Sequence, residues 1–311
     1  MPLDPQIDSI LKLMQQAGGG QMSAGTPQQA RQFFDLATVT MRDPSTLASV
    51  GSVEDRTIPG PAGDIPIRIY RPDGDGPSPT MAFFHGGGFV IGSIETHDDH
   101  ARRLCHDLDM VVVSVDYRLA PEHKFPAAFE DCLAATRWVA ENIDTLGGDP
   151  DKIVVGGDSA GGNLSAAVAL ATVESGPRLA AQFLIYPGVD FDPDAEYASR
   201  VENAEGYFLT ADDMIWFGDH YIDEADRRDI RASTILGNLA GAPPAVIGTA
   251  EFDPLRDEGE AYAKALADAG VEVRLQRYDG LIHGFYGMGP FSAAADAAIS
   301  DMNNSLKELL A

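Results

Sequence analysis

Cysteine is nearly absent: Cys105 and Cys132 are the only two in 311 residues. Neither stands in a CxxC or a Cys/His zinc spacing, so no disulfide framework and no zinc motif is expected. A chain this long buries enough apolar surface to fold without covalent staples. Both thiols fall in segments that read as helices with apolar neighbours, which suits buried free cysteines in a cytoplasmic protein. Basic residues are scarce too. Lys and Arg number 22 against 48 Asp and Glu, a formal net charge of -26. Phosphate backbones and anionic membrane surfaces would be repelled, so nucleic acid is not an expected partner. No apolar run reaches the roughly 18 residues of a membrane span. The start, Met-Pro-Leu-Asp-Pro, has no basic region leading into an apolar stretch, so no signal peptide is expected. Repeats and low-complexity tracts are missing as well.

What is present is an ordinary apolar share, 44%, distributed in alternating patterns. Ile7, Ile10, Leu11 and Met14 recur at helical spacing, Gly18-Gly19-Gly20 breaks the pattern, and a second helix is expected from Gln28 to Val39. Period two then takes over. Ser52–Ile58 and Ile65–Ile69 read as a hairpin around Pro59–Gly63, and Met81–Phe84 as a third strand. A helix from Thr96 to Leu108 with Thr96 as N-cap leads to a buried strand, Met110–Val115. Further strands are expected at Ile153–Val155, Phe183–Tyr186, Ala245–Thr249 and Val271–Gln276, and helices at Pro126–Ile143, Ala211–Ile222, Pro254–Ala269 and the C-terminus. Strands alternating with helices predict an open, mostly parallel α/β sheet with helices on both faces. Residues 189–240 interrupt the rhythm with acidic and aromatic residues. The expected organisation is one compact unit: a catalytic domain from 51–188 and 241–311, a cap insertion at 189–240, and cap helices at 1–50.

Gly157-Asp158-Ser159-Ala160-Gly161 joins a short branched strand to an Ala/Leu-rich helix. In that setting G-x-S-x-G forms a nucleophile elbow, with the serine at the tip of a tight turn and the helix N-terminus behind it. Ser159 is the expected nucleophile. A serine nucleophile needs a base, an orienting carboxylate and an oxyanion site. His283 follows the last strand between glycines, and Asp253 closes the strand before it, giving the order Ser…Asp…His. Asp257 and Asp279 are rival carboxylates. His85-Gly86-Gly87-Gly88 supplies glycines whose N–H groups can turn inward, and the expected donors are Gly86, Gly87 and Ala160, with Gly88 as a further candidate. His85 reads as an anchor rather than a base. His97, His100 and His106, interspersed with Asp98, Asp99 and Asp107, read as a solvated helix face rather than a metal site. Phe33, Phe34, Trp216, Phe217 and Tyr221 are the candidate substrate-contacting aromatics.

Together these stretches resemble the bacterial hormone-sensitive-lipase family of carboxylesterases, in the α/β-hydrolase superfamily. The resemblance rests on His85–Val90, Val115–Pro121 with Phe125-Pro126-Ala127, Gly157–Gly162, Asp253–Gly259 and His283-Gly284-Phe285. Asp158 places it in the GDSAG branch. The resemblance implies an eight-stranded α/β-hydrolase fold with a helical cap and hydrolysis of short- to medium-chain acyl esters. It implies no metal or organic cofactor, a small-molecule ester as partner, and a homodimer through the last strand, Val271–Arg277. Amide hydrolysis or deacetylation by the same triad, and a non-catalytic small-molecule receptor on the same fold, are the alternatives. The receptor would lack a complete triad, whereas Ser159, Asp253 and His283 are all present.

Overall fold

Runs of branched apolar residues need cover on both faces, and they form the centre of the sheet. The computed structural model describes residues 2–16, 21–74 and 76–311. The Gly18-Gly19-Gly20 break lies outside the described residues. Helix α1 (Pro5–Gln16) is followed by α2 (Pro27–Asp35), which continues into a π-helical turn over Leu36–Thr40. The hairpin β1 (Ser52–Gly60) and β2 (Gly63–Arg71) precedes β3 (Ser78–Phe84), α3 (Asp98–Leu108) and β4 (Val111–Val115). Then come α4 (Ala127–Glu141), α5 (Ile143–Leu146), β5 (Gly148–Asp158), α6 (Ala160–Ser175) and β6 (Ala181–Ile185). Two helices, α7 (Ala198–Glu202) and α8 (Ala211–Tyr221), lie in the insertion. The sheet resumes with β7 (Ala245–Phe252), α9 (Arg256–Asp268) and β8 (Val273–Ile282), and α10 (Ala293–Leu309) ends the fold.

The eight strands are ordered β1-β2-β4-β3-β5-β6-β7-β8. The β1–β2 and β2–β4 pairs are antiparallel and the others parallel. Successive side chains of a strand point to opposite faces, and the core divides accordingly. Met81, Phe83, Val112 and Val154 join Leu104 of α3 and Ile299, Met302 and Leu306 of α10 on one side. Ala82, Phe84, Val113 and Val155 join Val139 of α4 and Leu164 and Val168 of α6 on the other.

Several boundaries differ from expectation by a few residues, and three of the differences have a physical reason. Helix α3 begins at Asp98, because the Thr96 hydroxyl donates to the Ser93 carbonyl (2.9 Å) instead of capping a helix. The 126–143 helix divides at Asn142, whose amide donates back to the Trp138 carbonyl (2.9 Å). Strand β8 runs to Ile282 although Tyr278-Asp279-Gly280 looks like a turn. Its ladder with β7 resumes beyond an irregularity and pairs Phe252 with Ile282. Both strands therefore end one residue before Asp253 and His283.

The N-terminal residues are tied to the sheet and the insertion. Ile7 of α1 is fully buried in the core. Arg31 of α2 donates to the Val90 and Ala120 carbonyls, both at 2.8 Å, and pairs with Glu122. The Ser23 N–H donates to Asp213 of α8 (2.9 Å).

Candidate active site

Four strands deliver their next residue to one end of the sheet: β3 ends before His85, β5 before Ser159, β7 before Asp253 and β8 before His283. Ligands of open α/β sheets bind beyond these carboxyl ends. Ser159 occupies a backbone region that non-glycine residues rarely adopt, φ 54° and ψ -115°. Such strain persists only where the surroundings hold it. Here the Ser159 N–H donates to the Ile185 carbonyl (2.8 Å) and α6 starts at the next residue.

Ser159 Oγ lies 2.9 Å from His283 Nε2, and His283 Nδ1 lies 2.8 Å from Asp253 Oδ2. Asp253 is fully buried, His283 nearly so. The other Asp253 oxygen accepts the Leu255 N–H at 2.8 Å. The rival carboxylates are elsewhere. Asp257 accepts the Ser199 N–H and pairs with Arg256, both at 2.8 Å; Asp279 is exposed on β8.

The glycine loop differs from expectation at one position. The Gly86 N–H donates to Asp158 Oδ1 (2.9 Å) and is therefore not turned towards a substrate. The Gly87 and Gly88 N–H groups make no hydrogen bond among the described residues. Ala160 opens α6, where helix geometry leaves its N–H without an intrahelical acceptor. The donor set that geometry permits is Gly87, Gly88 and Ala160. His85 is an anchor. Its ring stacks on Tyr117 (4.2 Å), and the Tyr117 hydroxyl donates to its carbonyl (2.7 Å). Burial, reinforced by His97, pushes the His85 pKa down to about 3, so it stays neutral.

The histidines of α3 are not a solvated face. His97 and His100 are buried, and only His106 is exposed. Apolar packing of Ala101, Leu104 and Leu108 rotates the start of the helix inward under the glycine loop. The ligand-type atoms of His97, His100 and Asp158 lie within 4.8 Å of one another, the one such group among the described residues that could hold a metal ion. They already hold other partners: Asp158 has Gly86 and His97, His97 has Thr96, and His100 has Asp99. Burial opposes charge on Asp158, but His97 foremost and then His100 outweigh this and hold its carboxyl well below the usual range. Burial likewise opposes charge on His100, and Asp99 at 2.8 Å outweighs it and raises its pKa. Sequence reasoning missed this cluster because the Asp158 partner is remote in the chain. Only its place beside Ser159 was a signal.

The candidate aromatics separate. Phe217 covers the glycine loop so closely that a Cβ on Gly88 would come within 2.3 Å of its ring atoms. Trp216 meets Phe217 edge-on at 5.1 Å. Phe34 lies 6.0 Å from the His97 ring, and Phe33 is half-buried. Tyr221 is fully buried and stacks on Phe89 at 3.7 Å, so it is a packing residue beneath the loop rather than a pocket wall.

A family model described as alpha/beta hydrolase fold matches residues 81–287. The carboxylic ester hydrolase LipN of Mycobacterium tuberculosis is 45% identical over 264 residues, covering 82% of this chain and 70% of that protein. The carboxylesterase NlhH of the same organism is 40% identical over 317 residues, covering 98% and 97%. The solved esterase of the hyperthermophilic archaeon Pyrobaculum calidifontis superposes with a TM-score of 0.94 at 44% identity, covering both chains in full. With its sheet, elbow and histidine–carboxylate pair in these positions, the chain belongs to the alpha/beta hydrolase fold family, as a carboxylesterase of the hormone-sensitive-lipase kind.

Proposed function

We propose that ester hydrolysis proceeds through an acyl-enzyme on Ser159, with His283 as base, Asp253 as its orienting carboxylate, and Gly87, Gly88 and Ala160 as oxyanion donors. The observation that carries this is the unbroken hydrogen-bond chain Ser159–His283–Asp253 at a strained elbow. His283 takes the Ser159 proton as Oγ attacks the ester carbonyl. Asp253 keeps the imidazole's Nδ1 protonated and stabilises the cation that forms. The N–H groups receive the negative charge on the carbonyl oxygen, where each donor is typically worth about 10²–10³ in rate. His283 then protonates the leaving alcohol, and water repeats the sequence to release the acid and restore Ser159. The triad needs no metal or organic cofactor for any of these steps.

Substrates are proposed to be short- to medium-chain acyl esters. Residues 1–50 and 189–240 form the cap, and Phe217 and Trp216 narrow the space above the glycine loop; Phe33 and Phe34 are proposed as further contacts from the N-terminal side. p-Nitrophenyl esters from acetate to palmitate should show kcat/KM highest at four to eight carbons, about 10-fold or more above palmitate, and a butyryl anilide should be far slower than the ester. A palmitate optimum would overturn the chain-length reading. Phe217→Ala should move the optimum to longer acyl chains by opening space above Gly88. An unchanged profile would remove Phe217 from the pocket.

Strand β8 ends the sheet, and its residues Leu275, Gln276 and Arg277 are exposed. An edge strand offers unpaired backbone groups to a second copy. We propose a homodimer formed edge to edge through the last strand, within Val271–Arg277. Light scattering should give a dimer for the wild type and a shift towards monomer for Leu275→Pro. A monomeric wild type at tens of micromolar would end this proposal. The two free thiols fit a cytoplasmic location.

A further inference from the structure

The residue before the nucleophile, Asp158, takes no part in the proton chain, yet it is a carboxylate buried beside it. A buried charge needs partners, and Asp158 has two. Oδ1 accepts the Gly86 N–H at 2.9 Å, and Oδ2 faces His97 Nε2 at 3.5 Å. The first contact crosses from the elbow to the glycine loop. The second links the elbow to the start of α3.

His97 itself is held in place. The Thr96 hydroxyl lies 2.9 Å from the Ser93 carbonyl and 2.8 Å from His97 Nδ1. The His97 ring lies between those of His85 (5.4 Å) and His100 (4.9 Å). Asp99 holds His100 at 2.8 Å. From the N-terminal segment, Arg42 donates to the Glu95 carbonyl at 2.9 Å and stands 3.8 Å from Asp99. The ring that faces Asp158 thus has little freedom to turn.

The glycine loop, by contrast, has few restraints of its own. Gly87 and Gly88 sit at φ 114° and 58°, and no side chain of theirs fixes the peptide planes. What holds the loop is at its ends. The Val90 and Ile91 N–H groups donate to the Gly87 carbonyl, at 3.1 and 2.9 Å. At the other end, the Gly86 N–H is fastened to Asp158. Oxyanion stabilisation depends on donors already aimed before charge develops, so the direction of the Asp158 carboxylate matters to the rate.

We propose that His97 is a positioning residue for ester hydrolysis: it orients Asp158, which fixes the Gly86 peptide and thereby aims the Gly87 and Gly88 N–H groups at the oxyanion. The proposal rests on the reading of Gly87 and Gly88 as oxyanion donors. His97 touches neither substrate nor Ser159 and acts only through Asp158.

The test combines kinetics per active site with a probe of the oxyanion contact. Wild type, His97→Leu, His97→Gln, His97→Asn, Asp158→Asn and the His97→Leu/Asp158→Asn double variant are assayed on p-nitrophenyl butyrate after active-site titration. Each is also titrated with 1,1,1-trifluorohexan-2-one, whose carbonyl adds to a serine hydroxyl and leaves an oxyanion in the donor site. His97→Leu should lower kcat by about 10- to 100-fold with KM within about 3-fold, and weaken the ketone by a similar factor. Gln, whose amide can donate to Asp158, should recover most of both losses; the shorter Asn should not. The double variant should lose no more than the worse single one, because the two residues act as a unit. A merely structural role would lower thermal stability and the titrated active fraction while leaving kcat per site within about 3-fold, and that result overturns the proposal. If His97→Leu does not fold, the Gln/Asn contrast decides, and equal kcat for the two overturns it. A wild type that binds the trifluoromethyl ketone no more tightly than hexan-2-one would remove the oxyanion reading itself, whatever the His97 variants do.

Discussion

Ser159→Ala should lower kcat on p-nitrophenyl butyrate by roughly 10⁴- to 10⁶-fold while the protein stays folded. The loss is large because the hydroxyl is the proposed nucleophile, within 2.9 Å of the His283 Nε2 that activates it. Stability should stay within about 1 kcal/mol, because removing one hydroxyl from a half-exposed turn opens no cavity. Residual turnover would come from donors that still hold the substrate. Asp253→Asn tests the same chain from its other end. An amide that donates to Nδ1 would impose the wrong tautomer on His283, and the expected loss is about 10⁴-fold. Asp257→Asn is the control. That carboxylate is occupied by Arg256 and the Ser199 N–H, so activity should remain within a few-fold. Ser159→Ala retaining more than about 1% of the titrated wild-type rate, or equal losses at Asp253 and Asp257, would reject the proposed triad.

Gly161→Ala should be the most disruptive glycine-to-alanine change among the described residues. A Cβ there would overlap the Phe84 carbonyl oxygen and press on the His85 carbonyl oxygen at 2.8 Å. Neither side can yield cheaply. Phe84 is paired to β4 on one side and β5 on the other, and α6 starts at Ala160, directly after the strained Ser159. Overpacking between two fixed backbones costs about 3 kcal/mol or more. The melting temperature should fall by roughly 5 °C or more, and activity should fall with it, because the clash separates Ser159 from the loop that carries His85. Gly218→Ala is the opposite case. It lies inside α8, and a Cβ would meet only the Arg227 guanidinium at an ordinary 3.8 Å. Alanine is favoured over glycine in a helix interior by about 0.5–1 kcal/mol, so the melting temperature should hold or rise slightly. A Gly161→Ala variant that melts within about 1 °C of the wild type would show that the elbow and β3 are not in the contact described.

Most of the sheet was legible because its signals are local. The branched run Val111–Val115 and the Ile65-Ile67-Ile69 alternation carry their own period, and the glycines around Ser159 mark a turn that nothing else demands. The proposed catalytic residues were legible for the same reason: each stands one residue past a strand. Strand β8 was less so. Half of its residues are polar, and its last residues are strand because β7 pairs with them. The role of Gly86 was not legible. The three glycines are equivalent in sequence, and the one bound to Asp158 is chosen by a contact between residues 72 positions apart. His97 and His100 read as surface because alternating His and Asp suggest water; the rotation of α3, set by Ala101, Leu104 and Leu108, turns them inward. Tyr221 reads as a pocket aromatic and is instead stacked on Phe89.

By itself, the sequence determined the α/β class and the candidate nucleophile, base and carboxylate, because each depends on residue type and order at a strand end; the hydrolysis of carboxylic esters followed from the resemblance those motifs carry. Only the tertiary structure decided which glycine N–H groups are free, which histidines are buried and which aromatics face the loop. Those are properties of side-chain direction and of long-range contact, and neither has a period that a linear chain displays.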